Sequence, residues 1–399
     1  MRGAPIEVAA RRGQPLGMPP ARFLRDYWQK RPLLIRGAFP GFAPPLGPED
    51  LAGLACEELA LARIVLRDRR RDRWSVRNGP FAESAFAALP ESDWTLLVQD
   101  VDKWDADVAA LRDGFRFLPT WRIDDVMVSY AADGGGVGAH VDQYDVFLLQ
   151  GLGRRRWAIS TDPHAPQDCR DDVELKQLRT FAPTHAWLLE PGDMLYLPPG
   201  VPHDGVAIGP CMTLSLGMRA PSRTELLLDA AEHLAERMPE ALRYADPGLA
   251  PARAAGEIDA AALARAAAAL GPLAQAFDRA ALADWFGRFI TRYRAAQYAA
   301  APARAVGAAQ FERALGGGAR LLRHPWSRYA WARSGRGATL FVAGRALPCP
   351  PALARRLCAP DPLAGDAAEL RSRAARAVAL DLVNAGHLVL QRPRRKAAP

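Results

Sequence analysis

Glu190-Pro-Gly-Asp-Met-Leu-Tyr-Leu-Pro-Pro-Gly-Val-Pro-His203 reads as a short strand, Leu195-Tyr-Leu197, ended by a Pro/Gly turn that presents one histidine. About sixty residues earlier stands His140-Val-Asp142, which reads as the opening of another strand. Alternate side chains of a strand share a face, so His140 and Asp142 project together while Val141 points away. The third ligand must then come from a strand distant in sequence and adjacent in space, which His203 satisfies. Two imidazoles and one carboxylate on one side of an ion leave the other side open. That is the ligand set of a non-haem Fe(II) site that must also hold a cosubstrate and oxygen. His164, in the turn-rich Thr161-Asp-Pro-His164-Ala-Pro, and His185, before Ala186-Trp-Leu-Leu, are the rival ligands; neither has the strand-then-turn context of His203.

Residues from about 20 to 220 carry short apolar runs at regular intervals: 31–36, 94–99, 125–130, 145–150, 156–160 and 211–216. Strands so spaced, with no helical period between them, predict a sandwich or barrel, and a cupin-like jelly roll fits. A helix over Ala21–Trp28, stopped by Pro32, precedes them. From Ser222-x-x-Glu225, a capping box, the pattern becomes helical: Leu227, Ala230, Leu234 and Met238, then the Ala-rich Ala260 to Leu270, then Leu282, Trp285, Phe286, Phe289, Ile290 and Tyr293. These aromatics read as core or as a dimer face. After the linker at Ala300-Ala-Pro-Ala-Arg304, the order helix, strand at 338–343, helices at 351–357 and 367–384, and strand at 386–391 suits a winged-helix module. The expectation is therefore an α+β chain of three parts: a catalytic jelly roll over 1–220, a helical dimerisation region over 221–300, and a winged-helix-like domain with a basic tail over 301–399.

At 399 residues and 49% apolar content the chain can build real cores. No run is long enough for a membrane span, and the N-terminus lacks the apolar core of a signal peptide, so a cytoplasmic location is expected. The 5 cysteines are scattered, without a Cys-x-x-Cys pair, which speaks against a disulfide framework or a zinc site. The net charge of +8 comes almost wholly from arginine. Two readings stand: an anionic partner such as RNA, or a coding bias that exchanges lysine for arginine. Arg67-Asp-Arg-Arg-Arg-Asp-Arg73 alternates in sign, as a salt-bridged solvated face does, and Arg392-Pro-Arg-Arg-Lys396 reads as a disordered basic end.

Around the ligands, Gly151-Leu-Gly153 is read as a turn between two strands, and alternation along the second places Arg155, Trp157 and Ile159 inward. A buried guanidinium needs an anion. The distal carboxylate of 2-oxoglutarate would bind it bidentately; a protein Asp or Glu is the alternative. Asp125, Met127 and Ser129 share one face of a strand, and Tyr144 shares the face of His140 and Asp142. Together they suit a cationic, partly apolar side chain such as arginine, unless Asp125 instead hydrogen-bonds the turn at Arg122. Gly134-Gly-Gly136 is followed by no Lys-Ser/Thr, so it is read as a place where backbone passes close to metal or substrate rather than as a phosphate loop.

Asp125-Val-Met-Val-Ser-Tyr130, Gly134-Gly-Gly-Val-Gly-Ala-His-Val-Asp-Gln-Tyr-Asp-Val-Phe147, Gly153-Arg-Arg-Arg-Trp157, Pro191-Gly-Asp-Met-Leu-Tyr196 and Tyr27-Trp-Gln-Lys-Arg-Pro-Leu-Leu-Ile-Arg36 together resemble the bacterial ribosomal oxygenases of the jumonji-C class. The resemblance spans about half the chain in specific motifs, and element order carries it further. It implies a double-stranded β-helix and an Fe(II)- and 2-oxoglutarate-dependent enzyme that uses O2 to hydroxylate an arginine β-carbon of the large-subunit ribosomal protein L-sixteen. A homodimer built by the helical segment is implied too. Carried over by position, the iron ligands fall on His140, Asp142 and His203, the 2-oxoglutarate contacts on Ser129 and Arg155, and the substrate contacts on Asp125, Met127, Tyr144 and Ser215. Two other readings stay open: an oxygenase of the same kind with another target, such as a histidine hydroxylase, and a non-enzymatic winged-helix regulator with a ligand-sensing barrel.

Overall fold

The computed structural model describes residues 6–11, 13–239, 245, 260–275, 278–293 and 299–392. The basic tail beyond Arg392 lies outside these residues. Contacts divide the chain into two units, Met1–Ala220 and Pro221–Pro399.

In the first unit ten strands are β1 (Glu7–Ala9), β2 (Leu33–Arg36), β3 (Ala62–Asp68), β4 (Arg73–Asn78), β5 (Trp94–Val98), β6 (Ile123–Ala131), β7 (Val146–Ile159), β8 (His185–Leu189), β9 (Met194–Leu197) and β10 (His203–Met218). They hydrogen-bond in the order β1-β2-β9-β7-β10-β6-β5-β3-β4, with β8 on the free side of the outer half of β7. Helices α1 (Pro20–Asp26), α2 (Pro48–Leu54), α3 (Ser84–Ala87), α4 (Val101–Trp104) and α5 (Ala106–Ala110) are short.

Alternation gives this sheet two working faces. Leu96, Val98, Val126, Val128, Phe147, Leu149, Leu214 and Leu216 turn to one side, where Phe23, Tyr27, Leu51 and Phe115 close a large apolar core. Each such side chain taken from water contributes about 1.5–3 kcal/mol. The intervening residues face the other way. Pairing brings Ser129 opposite Thr213 and Met127 opposite Ser215, and on the far side of β10 Ser215 meets Leu148. This polar-lined face is the one that carries the site.

Two strand expectations differ from the structure. Gly151-Leu-Gly153 does not turn the chain: β7 is one continuous strand of 14 residues. Its partner β10 bends at the same height, with register shifts between Ile208 and Met212 and between Met212 and Thr213, and Gly153 and Gly209 both take left-handed φ (62° and 69°). A Cβ at Gly153 would stand 2.0 Å from the Pro210 carbonyl oxygen. The glycines thus let two facing strands kink together as a bulge. Nor does His140-x-Asp142 open a strand. His140 makes an isolated bridge to His203, and Asp142 lies in the loop before β7.

The sign-alternating run 67–73 forms the tip of the β3–β4 hairpin, held by Arg67–Asp72 (3.2 Å) and Arg71–Asp68 (3.6 Å). In the second unit, α6 (Arg223–Ala235) starts at the expected capping box: the Ser222 hydroxyl accepts from Glu225 N–H at 3.0 Å and the Glu225 carboxylate accepts from Ser222 N–H at 2.6 Å. It is followed by α7 (Ala260–Gln275), α8 (Arg279–Thr291), α9 (Ala308–Gly316), α10 (Pro351–Cys358) and α11 (Arg373–Asn384). Strands β11 (Arg320–Arg323), β12 (Tyr329–Ser334), β13 (Gly337–Val342), β14 (Arg345–Cys349), β15 (Leu363–Ala364) and β16 (Leu388–Gln391) make two three-stranded sheets, β15-β11-β16 and β12-β13-β14. The last helix begins at Arg373, not 367, because Ser372 caps it by accepting from Ala375 N–H. Gly287 of α8 lies flat on the Phe341 ring, which leaves no room for a Cβ. Among the described residues no helix is long and apolar enough to cross a membrane.

Candidate metal and cosubstrate site

The bridge between His140 and His203 is a reciprocal pair, His140 N–H to His203 O at 2.9 Å and His203 N–H to His140 O at 3.0 Å. It brings the two rings to 4.2 Å between centroids. Each imidazole uses Nδ1 on a backbone carbonyl, His140 on Gly138 and His203 on Val201, both at 2.9 Å. A carbonyl can only accept, so both rings carry the proton on Nδ1 and keep the Nε2 lone pair for an ion. Asp142 is placed by its backbone, whose carbonyl accepts from Gly200 N–H at 2.8 Å, and its Oδ2 lies 3.7 Å from His203 Nε2. Ligand atoms of His140, Asp142 and His203 all lie within 4.8 Å of one another. His164 and His185 are not among them: His164 is in an exposed loop, and the His185 ring stacks on Trp187 and bonds the Thr184 hydroxyl.

The electrostatics suit a cation. Burial, then the neighbouring His140, holds His203 neutral, well below its usual pKa. Burial pushes Asp142 up, opposed by His140, by a hydrogen bond from Tyr144 and by Arg63. An unmatched carboxylate beside two neutral imidazoles is stabilised by a divalent ion, which reverses that shift.

Arg155 is 4% exposed. One terminal nitrogen donates to Gly205 O at 3.0 Å, its plane lies 5.1 Å from the Trp157 ring, and Nε has no partner. Burial pushes this guanidinium below its usual value, with Cys211 and Asp204 acting against the shift. Among the described residues it makes no ion pair with a carboxylate, so the protein does not supply the anion that alternation left open. Trp157 also meets the His203 ring at 5.9 Å, so one indole touches both Arg155 and His203. The triple glycine works by close approach: a Cβ at Gly136 would sit 2.5 Å from Gly205 O, the same carbonyl that Arg155 holds.

Ser129 is buried, with its hydroxyl 3.4 Å from Thr213 O. Ser215 is buried, Met127 is half-buried, and Tyr144 is 41% exposed with its phenol on Asp142. Asp125 does not serve the turn at Arg122. Its Oδ2 accepts from Asp100 N–H at 3.1 Å, while Arg122 bonds Asp145 at 3.2 Å. Asp145 is itself missing from the sequence reading. Fully buried, it accepts from Tyr196 Oη at 2.6 Å and Gln29 Nε2 at 2.9 Å, and so anchors the loop that carries Asp142. Gln177 was missed as well; its amide donates to Val137 O at 2.8 Å and steadies the segment before His140. Asp145 stands close to Asp142 in sequence but its partners Gln29 and Tyr196 do not, and Gln177 is itself distant from the segment it holds, so no local pattern named these contacts.

The JmjC domain family matches residues 110–226, a ROXA-like winged helix matches 274–389, and an AraC-like ligand binding domain matches 182–284. An Escherichia coli ribosomal oxygenase, YcfD, whose structure was solved in complex with cobalt and 2-oxoglutarate, superposes with a TM-score of 0.78 at 32% identity, covering 94% of this chain and 98% of that one. The chain belongs to the ribosomal oxygenases of the jumonji-C class. This ribosomal oxygenase is 43% identical over 229 residues to the ribosomal protein uL16 3-hydroxylase of Escherichia coli and 40% identical over 220 to a probable ribosomal oxygenase of Haemophilus influenzae. Those sequence matches take in 57% and 53% of this chain and 60% and 52% of the relatives.

Proposed function

We propose that this chain is an Fe(II)- and 2-oxoglutarate-dependent oxygenase that hydroxylates the β-carbon of an arginine in ribosomal protein L-sixteen (uL16). The observation that carries the reading is a buried Arg155 guanidinium whose Nε has no partner and which pairs with no carboxylate among the described residues, together with two imidazoles whose Nε2 atoms are both available. His140, Asp142 and His203 would hold the iron, and Arg155 and Ser129 the far end of 2-oxoglutarate. With oxygen, the bound metal and cosubstrate supply the oxidising chemistry. The chain's own residues bind, orient and exclude water. Trp157, Ile159 and Leu195, buried in one cluster on this side of the sheet, keep the cavity dry. Asp125 receives the substrate guanidinium, Met127 packs along its methylenes, and Tyr144 holds Asp142 while standing at the exposed rim. Fixing the target carbon near the reacting centre sets which hydrogen is lost, because small displacements are costly.

Hydroxylation of an L-sixteen peptide, mapped by a mass gain of one oxygen, tests the reading; comparing ribosomal proteins from cells with and without the gene locates the residue. Absence of any oxygenated ribosomal peptide, with 2-oxoglutarate still consumed, favours another target such as a histidine. Failure to consume 2-oxoglutarate favours a ligand-sensing regulator, the reading that the AraC-like match would support.

Arg155→Ala should raise the 2-oxoglutarate requirement at least about tenfold, since a charge-assisted bidentate pair contributes on the order of 1.5–3 kcal/mol. Iron binding should survive. Unchanged 2-oxoglutarate dependence would move the clamp elsewhere.

Burial, then Asp100, Asp124 and Asp102, pushes Asp125 up to about 7, with Lys103 opposing. The substrate guanidinium stays charged, so only ionised Asp125 can pair with it. Consequently kcat/KM for the peptide should fall as pH drops through about 7, while the limb in kcat lies lower, because the bound guanidinium favours the carboxylate. A kcat/KM that is flat from about pH 6 to 8 would remove Asp125 from substrate recognition.

The second unit exposes Leu227 and Leu228 of α6, Leu263 of α7 and Leu282 of α8. Such a concentration of open apolar side chains supports a homodimer through 221–300, with 301–399 as the winged-helix-like part. The cytoplasm, where ribosomes are found, is the location that fits an L-sixteen substrate, and the arginine-rich surface would face ribosomal RNA.

A further inference from the structure

We propose that Lys103, with Asp102 and Arg112, forms a positioning network that aims Asp125 at the substrate, so that residues outside the pocket set its selectivity for a cationic side chain. The proposal rests on the reading of Asp125 as the substrate's partner. Lys103 and Asp102 belong to α4, directly after Asp100. Both side chains are buried, at 3% and 0% exposure, and the Lys103 ammonium donates to Asp102 Oδ2. Asp102 Oδ2 also accepts from Arg112 at 3.0 Å, and Oδ1 accepts from Val126 N–H at 2.9 Å, on the strand that carries Asp125. Lys103 reaches further, to Asp124 O at 3.3 Å and to Asp100 Oδ1 at 4.0 Å.

The network therefore ties α4 to β6 at two points, Val126 N–H and Asp124 O. What it fixes is the turn at Asp100, held in the left-handed region (φ 58°), where a residue with a side chain stays only if its surroundings insist. That turn aims Asp100 N–H at Asp125 Oδ2. The other oxygen, Oδ1, faces Gly217 across the β6–β10 pairing, where a Cβ would come within 3.2 Å. Asp125 is thus oriented by one oxygen, and the second is kept clear of side chains.

The groups around Asp125 are Asp100, Asp102 and Lys103 on α4, Asp124 beside it on β6, Arg112 behind Asp102, and Tyr144 across the pocket. Burial pushes Asp102 up, and Lys103 and Arg112 outweigh it, so Asp102 stays charged below the usual carboxylate range. Four carboxylates stand against two cations. A substrate cation repairs the deficit, which Lys103 alone opposes only in part.

The test is the Asp102→Asn/Lys103→Met double variant of the full chain, which keeps side-chain shapes and the Val126 contact while removing the internal pair. KM for the L-sixteen arginine peptide should rise at least about tenfold, because the turn that aims Asp125 is released, and in the single Lys103→Met variant the acidic limb of kcat/KM should move up, because a cation that lowers Asp125 is lost while Asp102 remains. The affinity of the cobalt-loaded protein for 2-oxoglutarate should stay within about twofold, since that ligand uses other contacts. Arg112→Gln, altering a side chain that is partly open to solvent, should move both peptide readouts the same way by less and serves where the double variant does not fold. Wild-type KM and an unmoved limb in a folded variant would overturn the positioning role while the substrate reading stands. Wild-type enzyme that hydroxylates no arginine peptide would overturn both.

Discussion

Alanine at His140 or Asp142 is expected to abolish 2-oxoglutarate turnover and leave the fold in place. Loss of a residue that merely orients a metal ligand already costs 10–100-fold in affinity or activity, so loss of one ligand of three should cost more than about a hundredfold. The fold should not follow. The His140–His203 bridge is made by backbone atoms, which alanine keeps. Asp142 is a carboxylate that burial pushes up, so the metal-free protein gains nothing from its charge. Asp142→Asn should therefore melt no lower than wild type when no metal is bound. The measurements are bound iron or cobalt, succinate formed at saturating iron, and the melting temperature of the metal-free proteins. Wild-type turnover in either alanine variant would remove these residues from the metal site. A marked fall in metal-free melting temperature for Asp142→Asn would make Asp142 a structural residue.

The second large effect is expected at Asp125. Truncating one partner of a buried, hydrogen-bonded charge pair typically costs 2–5 kcal/mol, about thirtyfold to several thousandfold in kcat/KM. Asp125→Ala should show that loss with an L-sixteen arginine peptide and leave 2-oxoglutarate affinity nearly unchanged, because Arg155 and Ser129 lie on other strands or further along β6. A lysine peptide should be poor with the wild-type enzyme, since an ammonium lacks the planar fork of a guanidinium. Hydroxylation followed by mass spectrometry, with 2-oxoglutarate binding measured on each variant, separates the two ligands. Equal rates on arginine and lysine peptides, or an undiminished Asp125→Ala, would defeat the arginine assignment without touching the oxygenase reading.

What the residues determined by themselves is what depends on local period and on chemistry. Asp125, Met127 and Ser129 share a face, and Arg155 points inward with Trp157 and Ile159, because a pleated strand alternates wherever it is placed. Ser222 and Glu225 cap their helix as expected, since a capping box closes within four residues. The ligand trio is legible as well: an His-x-Asp and a later histidine after a Pro/Gly turn are few enough to pair, although the regular strand assumed for His140 and Asp142 is replaced by a bridge and a loop.

Tertiary structure decided whatever depends on a partner far along the chain. Gly151-Leu-Gly153 is locally as good a turn as a bulge, and the matching kink at Gly209 in β10 selects the bulge. Alternation buries Arg155 without saying whether a carboxylate waits for it; among the described residues none does, because β10 offers the Gly205 carbonyl and β7 itself the Trp157 ring instead. The Asp102–Lys103 pair looks from sequence like two solvated charges on a short helix. Only the packing of α4 against β6 buries them and turns them on Asp125, since burial and charge pairing are set by neighbours that no local pattern names.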